Sequence, residues 1–148
     1  MAKTGGFEQW PADVEFGLLG ELVGYAIRRA QIAIYKDFEK SVTGLTPPLL
    51  AALILIDANP GINQTRLGQV MGVNRATIMA LIDRLAALKL VRRAPSAADR
   101  RANALQLTDL GRKRHGIASA EVWAHDARVA GNLTPSELKT LRHLLTKF

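Results

Sequence analysis

The basic side chains of this chain are concentrated in one stretch. Residues 63–115 contain eleven Lys and Arg and three acids, whereas the rest of the chain carries nine Lys and Arg against ten acids. The formal net charge of +7 therefore arises within one contiguous third of the protein. A localised positive field on an otherwise near-neutral chain is typical of a surface that binds a polyanion.

Side chains suited to catalysis or metal binding are sparse. His125 and Asp126 form the one suggestive acid–base pair, but adjacent residues on a helix diverge, and no nucleophile or Gly-rich phosphate loop accompanies them. Glu121 and His125 have the i, i+4 spacing of helical metal ligands, yet three His and no Cys make a poor ligand set. The sequence therefore predicts no enzyme, no metal site and no cofactor.

The composition predicts a folded cytoplasmic domain. An apolar fraction of 48% is ample for a buried core, and the absence of Cys fits a reducing compartment. The N-terminus lacks the apolar region of a signal peptide. The longest apolar run, Leu49–Ile56, is far short of the roughly 20 residues that a membrane span needs. We therefore expect no membrane association.

Helices must position most of the basic residues. After a loose tail over residues 1–12, dense apolar residues without proline predict a long helix from about 13 to 39. Thr46 and Pro47 predict the start of a second helix, with Thr as the cap and Pro at the first position. That helix runs to about Ala58, where a turn composition follows.

Two short helices around a glycine follow this turn. Asn63 is placed to cap a helix that runs through Val70, Gly72 breaks it, and Asn74 is placed to cap the next helix. The second of these helices has apolar residues at the spacing of one buried stripe, namely Ile78, Leu81, Ile82, Leu85 and Leu88. This arrangement predicts a helix-turn-helix.

A hairpin and two further helices complete the chain. Residues 90–93 and 104–107 read as strands, with a turn-prone run at 95–99 between them. Thr108 begins a helix to about Gly131, and a capping box at 134–137 begins the last helix. We therefore predict a mainly α fold with a small β-hairpin wing, a winged helix-turn-helix flanked by N- and C-terminal helices.

The order of these motifs resembles the MarR (multiple antibiotic resistance regulator) family of bacterial transcription factors. The matching motifs are Leu45-Thr46-Pro47, Gln64-Thr65-Arg66-Leu67-Gly68, Val73-Asn74-Arg75-Ala76-Thr77-Ile78, Asp83-Arg84-Leu85, Leu90-Val91-Arg92-Arg93, Asp99-Arg100-Arg101 and Leu107-Thr108-Asp109-Leu110-Gly111. The match covers about residues 14 to 148 in order. One departure is Lys89, where the family often has Gly before the Leu-Val pair.

The resemblance implies one MarR-type domain over residues 1–148. Its winged-helix DNA-binding lobe is expected at about 46–108, and its dimerisation helices at about 13–41 and 109–148. A homodimer suits a palindromic operator with half-sites about one helical turn apart. The terminal helices also carry more leucine than a monomeric winged helix can bury.

The helix that begins after Asn74 is expected to enter the major groove of double-stranded DNA. Arg75 can read a guanine or hold a phosphate, and small Ala76 and Ala80 permit close approach to thymine methyls. The predicted contacts on this helix are Arg75, Ala76, Thr77, Met79, Ala80 and Arg84. Asn63, Gln64, Thr65 and Asn74 lie at helix N-termini that favour phosphate. Capping alone is an equal alternative for the two asparagines.

The predicted wing carries Arg92, Arg93, Arg100 and Arg101. The resemblance implies that Arg101 enters a minor groove, where a narrow A·T-rich groove attracts arginine, and that Asp99 holds an arginine in position. The alternative is a mobile charged tip without a fixed register. The cluster 112–114 opposes the dipole at a helix start, so either phosphate or an intramolecular acid must account for it.

A small-molecule effector is also expected from the resemblance, in a cleft beside the dimer helices. Aromatic, apolar and cationic groups share one face of the first helix at Tyr25, Arg28, Arg29, Ile32 and Lys36, and Trp123 is a further candidate. They would suit an aromatic carboxylate or its coenzyme A thioester; solvated arginines and core rings are the alternative.

Two functions compete at this point. The first is a ligand-responsive DNA-binding repressor, which the basic winged helix and the leucine-rich terminal helices favour. The second is a sequence-neutral architectural or RNA-binding winged helix without an effector. The ratio of specific to nonspecific DNA affinity separates them.

Overall fold

The computed structural model describes Pro11 and residues 13–95 and 103–148. The elements in these ranges are α1 (Val23–Ser41), α2 (Pro47–Ala58), α3 (Gln64–Met71), α4 (Arg75–Ala87), β1 (Val91–Pro95), β2 (Asn103–Leu107), α5 (Asp109–Val129) and α6 (Pro135–Leu145). The mainly helical fold with a two-stranded antiparallel wing is confirmed. Of the helices described, none is long and apolar enough to cross a membrane.

The chain divides into two compact units. One is Val42–Glu121, which holds α2, α3, α4, the two strands and the first part of α5. The other combines the described part of Met1–Ser41 with Val122–Phe148, and so contains α1, the end of α5 and α6.

The prediction of one continuous helix over residues 13–39 was wrong in its first part. Gly17–Glu21 forms a 3-10 helix, Leu22 is extended with φ −84° and ψ 120°, and α1 begins only at Val23. Gly17 has φ +51°, a left-handed conformation that an α-helix cannot include. The apolar spacing continues through this break, which is why the sequence pattern did not reveal it. Of the predicted tail over residues 1–12, the structure describes only Pro11.

The other helix starts fall where their sequence signals predicted. Thr46 has the extended backbone of an N-cap before Pro47, but its side chain makes no capping hydrogen bond, so the proline and backbone geometry define this start. At α6 the capping box is complete: Glu137 N–H donates to Thr134 Oγ1, and Thr134 N–H donates to Glu137 Oε2 at 2.7 Å. The hydrogen bonds that the Thr134 backbone N–H and then its hydroxyl donate to the Glu137 carboxylate lower the pKa of Glu137.

The core of the Val42–Glu121 unit is built around side chains from α2, α3, α4 and β2. The side chains that are almost fully buried are Leu53, Ile56, Leu67, Ile78, Ile82, Leu85 and Leu105. Three of the five apolar residues predicted for the stripe of α4 are buried, and Leu81 and Leu88 are half-buried at its edges. This stripe fixes which face of α4 is left for solvent.

The turn after α2 anchors the wing beside α3. Gly61 N–H donates to Leu105 O at 3.2 Å, and Leu105 N–H donates to Ile62 O at 2.9 Å. Asn63 forms an isolated bridge with Ala104. Strand β2 is therefore hydrogen-bonded on both edges, to β1 and to the residues that lead directly into α3.

A polar network around the buried His125 joins α1 to the second half of α5. His125 is 6% exposed, and its Nδ1 lies 2.7 Å from Asp37 Oδ2. Arg128 donates to the same carboxylate at 3.1 Å and to Ser41, while the Phe38 ring meets His125 edge-on. The hydrogen bond from His125, followed by that from Arg128, lowers the pKa of Asp37 to about 2.

Candidate nucleic-acid interface

The two helices of the helix-turn-helix are held by asparagine caps and a glycine turn. Asn63 Oδ1 accepts from Arg66 N–H at 2.8 Å, and Asn74 Oδ1 accepts from Thr77 N–H at 2.9 Å. Gly72 ends α3 with φ +64°, where a side chain would be strained. The two asparagines therefore cap the N-termini of α3 and α4, which is one of the two roles that the sequence allowed. Their contact with DNA stays a prediction.

The face of α4 that is predicted to read bases is open to solvent. Ile78, Ile82 and Leu85 point into the core, and the opposite face exposes Ala76, Met79, Ala80 and Asp83. Arg75, Thr77 and Arg84, predicted to flank this face, are exposed as well. The small alanines leave room beside Met79, which is 41% exposed, so a base edge has direct access to the helix.

A cavity of about 340 Å³ lies between α3 and the start of α4. Its lining residues are Gln64, Thr65, Gly68, Gln69, Val73, Arg75 and Ile78. The structure thus brings together three of the predicted DNA-contacting residues, two from α3 and Arg75 from α4. Gln69 joins them and was not predicted; its position one turn after Thr65 was the available signal.

Lys89 forms the turn from α4 into the wing in a conformation that favours glycine. Its φ is +59°, the single positive φ among the described non-glycine residues. Leu90 N–H donates to Leu85 O and Lys89 N–H donates to Ala86 O, both at 2.9 Å. This pair of hydrogen bonds is a Schellman motif, in which the left-handed position usually holds Gly. This conformation explains why the proteins that the sequence resembles often have Gly at the position of Lys89. It also shows that Lys can form the same turn.

The start of α5 is packed directly against that turn. Thr108 Oγ1 donates to Lys89 O at 2.6 Å and accepts from Gly111 N–H at 2.9 Å. Thr108 N–H donates to Leu90 O at 3.0 Å. A Cβ on Gly111 would lie 2.0 Å from Leu90 O. The Thr-Asp-Leu-Gly motif therefore joins the wing to α5 through a contact that only glycine permits.

The wing places its two described arginines differently. Arg92 pairs with Gln106 across the hairpin, and its Nη2 donates to Gln106 Oε1 at 3.0 Å. Arg93 Nη2 donates to Asp83 Oδ1 on α4 at 2.6 Å. Alternation along the predicted strand places the two side chains on opposite faces, but the sequence did not show that Arg93 would meet Asp83. The predicted turn residues 96–99, the wing residue Arg100 and the predicted minor-groove residue Arg101 lie outside the described residues.

Intramolecular acids account for two of the three cations at 112–114. Arg112 pairs with Asp109 and also donates to Leu107 O at 3.2 Å. Arg114 donates twice to Glu121 Oε2 at 3.0 Å and once to Thr43 O, with 19% of its side chain exposed. Lys113 is exposed. Of the two explanations offered for this cluster, the intramolecular one holds for both arginines.

The residues predicted to bind an effector lie in the other unit. Tyr25, Arg28, Arg29, Ile32 and Lys36 are all on α1, and Trp123 on α5 is 70% exposed. Phe16, which the sequence analysis did not single out, lies 6.2 Å from the Tyr25 ring, and the Arg29 guanidinium lies 5.4 Å from the Phe16 ring centre. Of the predicted residues, Tyr25 and Arg29 therefore lie beside the Phe16 ring, which directly precedes the 3-10 helix. Effector binding stays a prediction.

An exposed α4 beside a basic two-stranded wing defines the chain as a winged helix-turn-helix protein. A MarR family profile matches residues 43–102. A putative transcriptional regulatory protein for the hcr operon of Thauera aromatica is 31% identical over 139 residues, which are 92% of this chain and 84% of that protein. The chain belongs to the MarR family of transcriptional regulators.

Solved structures of similar proteins agree with this assignment. The transcriptional repressor CouR, bound to a 23-mer DNA duplex, is 36% identical with a TM-score of 0.85, covering 92% of this chain and 98% of that one. CouR bound to p-coumaroyl-CoA is 34% identical with a TM-score of 0.84, over 90% and 96% of the two chains. PcaV from Streptomyces coelicolor, in complex with its natural ligand, is 27% identical with a TM-score of 0.82, over 92% and 95%.

Proposed function

We propose that this protein is a cytoplasmic repressor, without enzymatic activity, that binds a palindromic operator as a homodimer and is released by a small-molecule effector. The observation that carries the proposal is the solvent-facing side of α4, where Arg75 lies beside the cavity at the start of α3. The similarity to the repressor CouR, whose structure was solved in complex with DNA, supports the proposal and extends over 92% of this chain.

The proposed DNA contacts divide by their chemistry. Arg75, Ala76, Thr77, Met79, Ala80 and Arg84 are offered to the major groove. Asn63, Gln64, Thr65 and Asn74 are offered to phosphates at helix N-termini through their amide N–H, hydroxyl and backbone groups. Arg92 is assigned to a phosphate beside the wing, Arg101 to the minor groove, and Arg100 to DNA beside it at the wing. The lobe that holds them is assigned to about residues 46–108.

Dimerisation is assigned to the terminal helices at about 13–41 and 109–148. A single copy leaves many large apolar side chains on these segments in water: Leu18, Leu19, Val23, Ile27, Leu141, Leu144, Leu145 and Phe148 are each between 38% and 86% exposed. A soluble monomer rarely exposes so much contiguous apolar surface. A second copy with the same surface buries it by two-fold symmetry.

The proposed effector is an aromatic acid or its coenzyme A thioester. Phe16, Tyr25 and Trp123 provide aromatic surface, and Arg28, Arg29 and Lys36 provide cations for a carboxylate or phosphates. The structures of CouR with p-coumaroyl-CoA and of PcaV with its natural ligand support ligand control in similar proteins. Ile32, 45% exposed, contributes apolar surface on the same helix.

A gel-shift assay on DNA flanking the chain's own gene tests the proposal. We expect specific retardation at moderate salt, and its loss on addition of aromatic acids or their thioesters. Arg75→Ala should weaken specific binding by about 1–3 kcal/mol and relax the preference at one position. Equal affinity for all sequences would instead identify the sequence-neutral architectural or RNA-binding protein.

A further inference from the structure

Arg92 and Arg93 are neighbours in the sequence but lie on opposite faces of the wing. Side chains alternate along a strand, so Arg93 shares its face with Val91, which is 3% exposed. In the hairpin register Arg93 is opposite Leu105, which is 1% exposed, and Arg92 is opposite Gln106. Arg93 therefore lies on the side of the hairpin that faces the core, and Arg92 on the other side.

The guanidinium of Arg93 is held by a carboxylate of the recognition helix. Its Nη2 lies 2.6 Å from Asp83 Oδ1, and 34% of the Arg93 side chain is exposed. Asp83 lies one turn after Met79, on the face of α4 that is open to solvent. A charge-assisted hydrogen bond of this length is among the stronger polar contacts. It connects the wing to α4 at a second point, beyond the turn at Lys89.

The two arginines also differ in whether a carboxylate neutralises their positive charge. The carboxylate of Asp83 neutralises Arg93, whereas Arg92 is hydrogen-bonded to the uncharged amide of Gln106 and keeps its full charge. An arginine that contacts a phosphate displaces a DNA counterion, and an arginine already neutralised by a carboxylate does not.

We propose that Asp83 and Arg93 form a strut that fixes the wing relative to α4, so that Arg93 is a positioning residue for operator choice and Arg92 is the one that binds a phosphate. This inference rests on the proposed function. Arg93 then controls the position of the wing on DNA, and Arg92 contributes to the affinity for DNA.

The salt dependence of DNA binding separates these roles. Binding of the full-length wild type, Arg92→Gln and Arg93→Gln is measured by fluorescence anisotropy, between about 50 and 200 mM salt, on a duplex from the promoter region of its own gene and on a scrambled duplex. Each lost phosphate contact reduces the slope of log K against log salt by about 0.9. We expect a reduction of about 1.8 per dimer for Arg92→Gln and none for Arg93→Gln.

The strut itself is tested by the ratio of specific to nonspecific affinity. Arg93→Gln and Asp83→Asn should each lower this ratio about fivefold, and the double variant should lower it no further, because either change breaks the same pair. Asp109→Asn is the matched control, since it removes the same charge from the exposed pair with Arg112. Exchanging the two residues, with Asp83→Arg and Arg93→Asp together, should restore the ratio.

Circular dichroism melts confirm that each variant is folded before its binding is compared. The inference is overturned if Arg93→Gln reduces the salt slope as Arg92→Gln does, if neither reduces it, if Asp109→Asn lowers the ratio as much as Asp83→Asn, or if the charge exchange fails to restore it. In all these outcomes the wild type still prefers its promoter duplex. A wild type that binds both duplexes equally would instead overturn the proposed function, and the strut's role in operator choice with it.

Discussion

Gly111→Ala tests whether the wing and α5 meet as closely as the structure shows. The added Cβ would lie 2.0 Å from Leu90 O and 2.9 Å from Leu90 C. An ordinary carbon–oxygen contact is about 3.3 Å or longer, so the two backbones must separate by more than about 1 Å. Leu90 O also accepts from Thr108 N–H at 3.0 Å and Thr108 Oγ1 at 3.3 Å, and this separation would break or stretch both hydrogen bonds.

The expected cost of this substitution follows from three contributions. Overpacking a tight site costs about 1–3 kcal/mol, and weakening hydrogen bonds to a carbonyl that is left without water costs about 1–3 kcal/mol. Replacing glycine within a helix returns about 1 kcal/mol. We therefore expect Gly111→Ala to lower the free energy of unfolding by about 3 kcal/mol.

Urea unfolding, followed by far-UV circular dichroism at one fixed protein concentration, measures this difference. Gly116→Ala is the matched control, because Gly116 is in the same helix and its Cβ would have nothing within 4 Å. That control should gain about 0.5–1 kcal/mol. If the two variants were equally stable, the close approach of Gly111 to Leu90 would be refuted.

Three further predictions concern the turn, the network on α1 and the cap of α4. Lys89→Gly should stabilise the protein by about 0.5–1 kcal/mol, because it removes left-handed strain of about 1–2 kcal/mol at the cost of glycine entropy. Lys89→Ala should give no such stabilisation, because alanine keeps the same strain. The urea midpoints of the two variants and the wild type measure the difference. The pKa of Asp37 falls from its ordinary 3.8 to about 2, so its stabilisation is present above about pH 4 and disappears as the pH falls toward 2. Solvent screens this partly exposed carboxylate, so the wild type should exceed Asp37→Asn by about 1 kcal/mol at neutral pH and by little at pH near 2; a pH-independent difference in urea unfolding would contradict this. Asn74→Asp should keep the cap and the stability but weaken DNA binding through its negative charge, whereas Asn74→Ala should lose about 1 kcal/mol of stability. Urea unfolding measures the stability and fluorescence anisotropy measures the DNA affinity. An unchanged DNA affinity of Asn74→Asp would contradict a contact between Asn74 and DNA.

Most of the fold could be predicted from the sequence because the interactions that start each helix act within a few residues. The caps Asn63 and Asn74 act on N–H groups three residues ahead, and the capping box at Thr134 closes within one turn. Interactions of this range are encoded by spacing alone. The prediction failed at Gly17–Glu21, where the apolar pattern persisted while the backbone of Gly17 left the helical region.

The candidate site was predictable only in part, for the same reason. The exposed face of α4 follows from the buried stripe on its other side, so the exposure of Ala76, Met79 and Ala80 could be predicted from the sequence. Gln69, by contrast, was missed because it joins these residues only through the cavity between α3 and α4. Phe16 was missed because its ring contacts depend on the path of the chain before α1.

The sequence by itself determined the order of elements, the position of the positive charge and the resemblance to the MarR family, because periodicity, caps and motifs act over a few residues. Only the tertiary structure decided which charges are already paired. Arg93 pairs with Asp83 and Arg128 pairs with Asp37, and each of these ion pairs joins separate elements. A charge count treats every arginine alike, whereas the field that DNA meets depends on which carboxylates the fold has brought beside them.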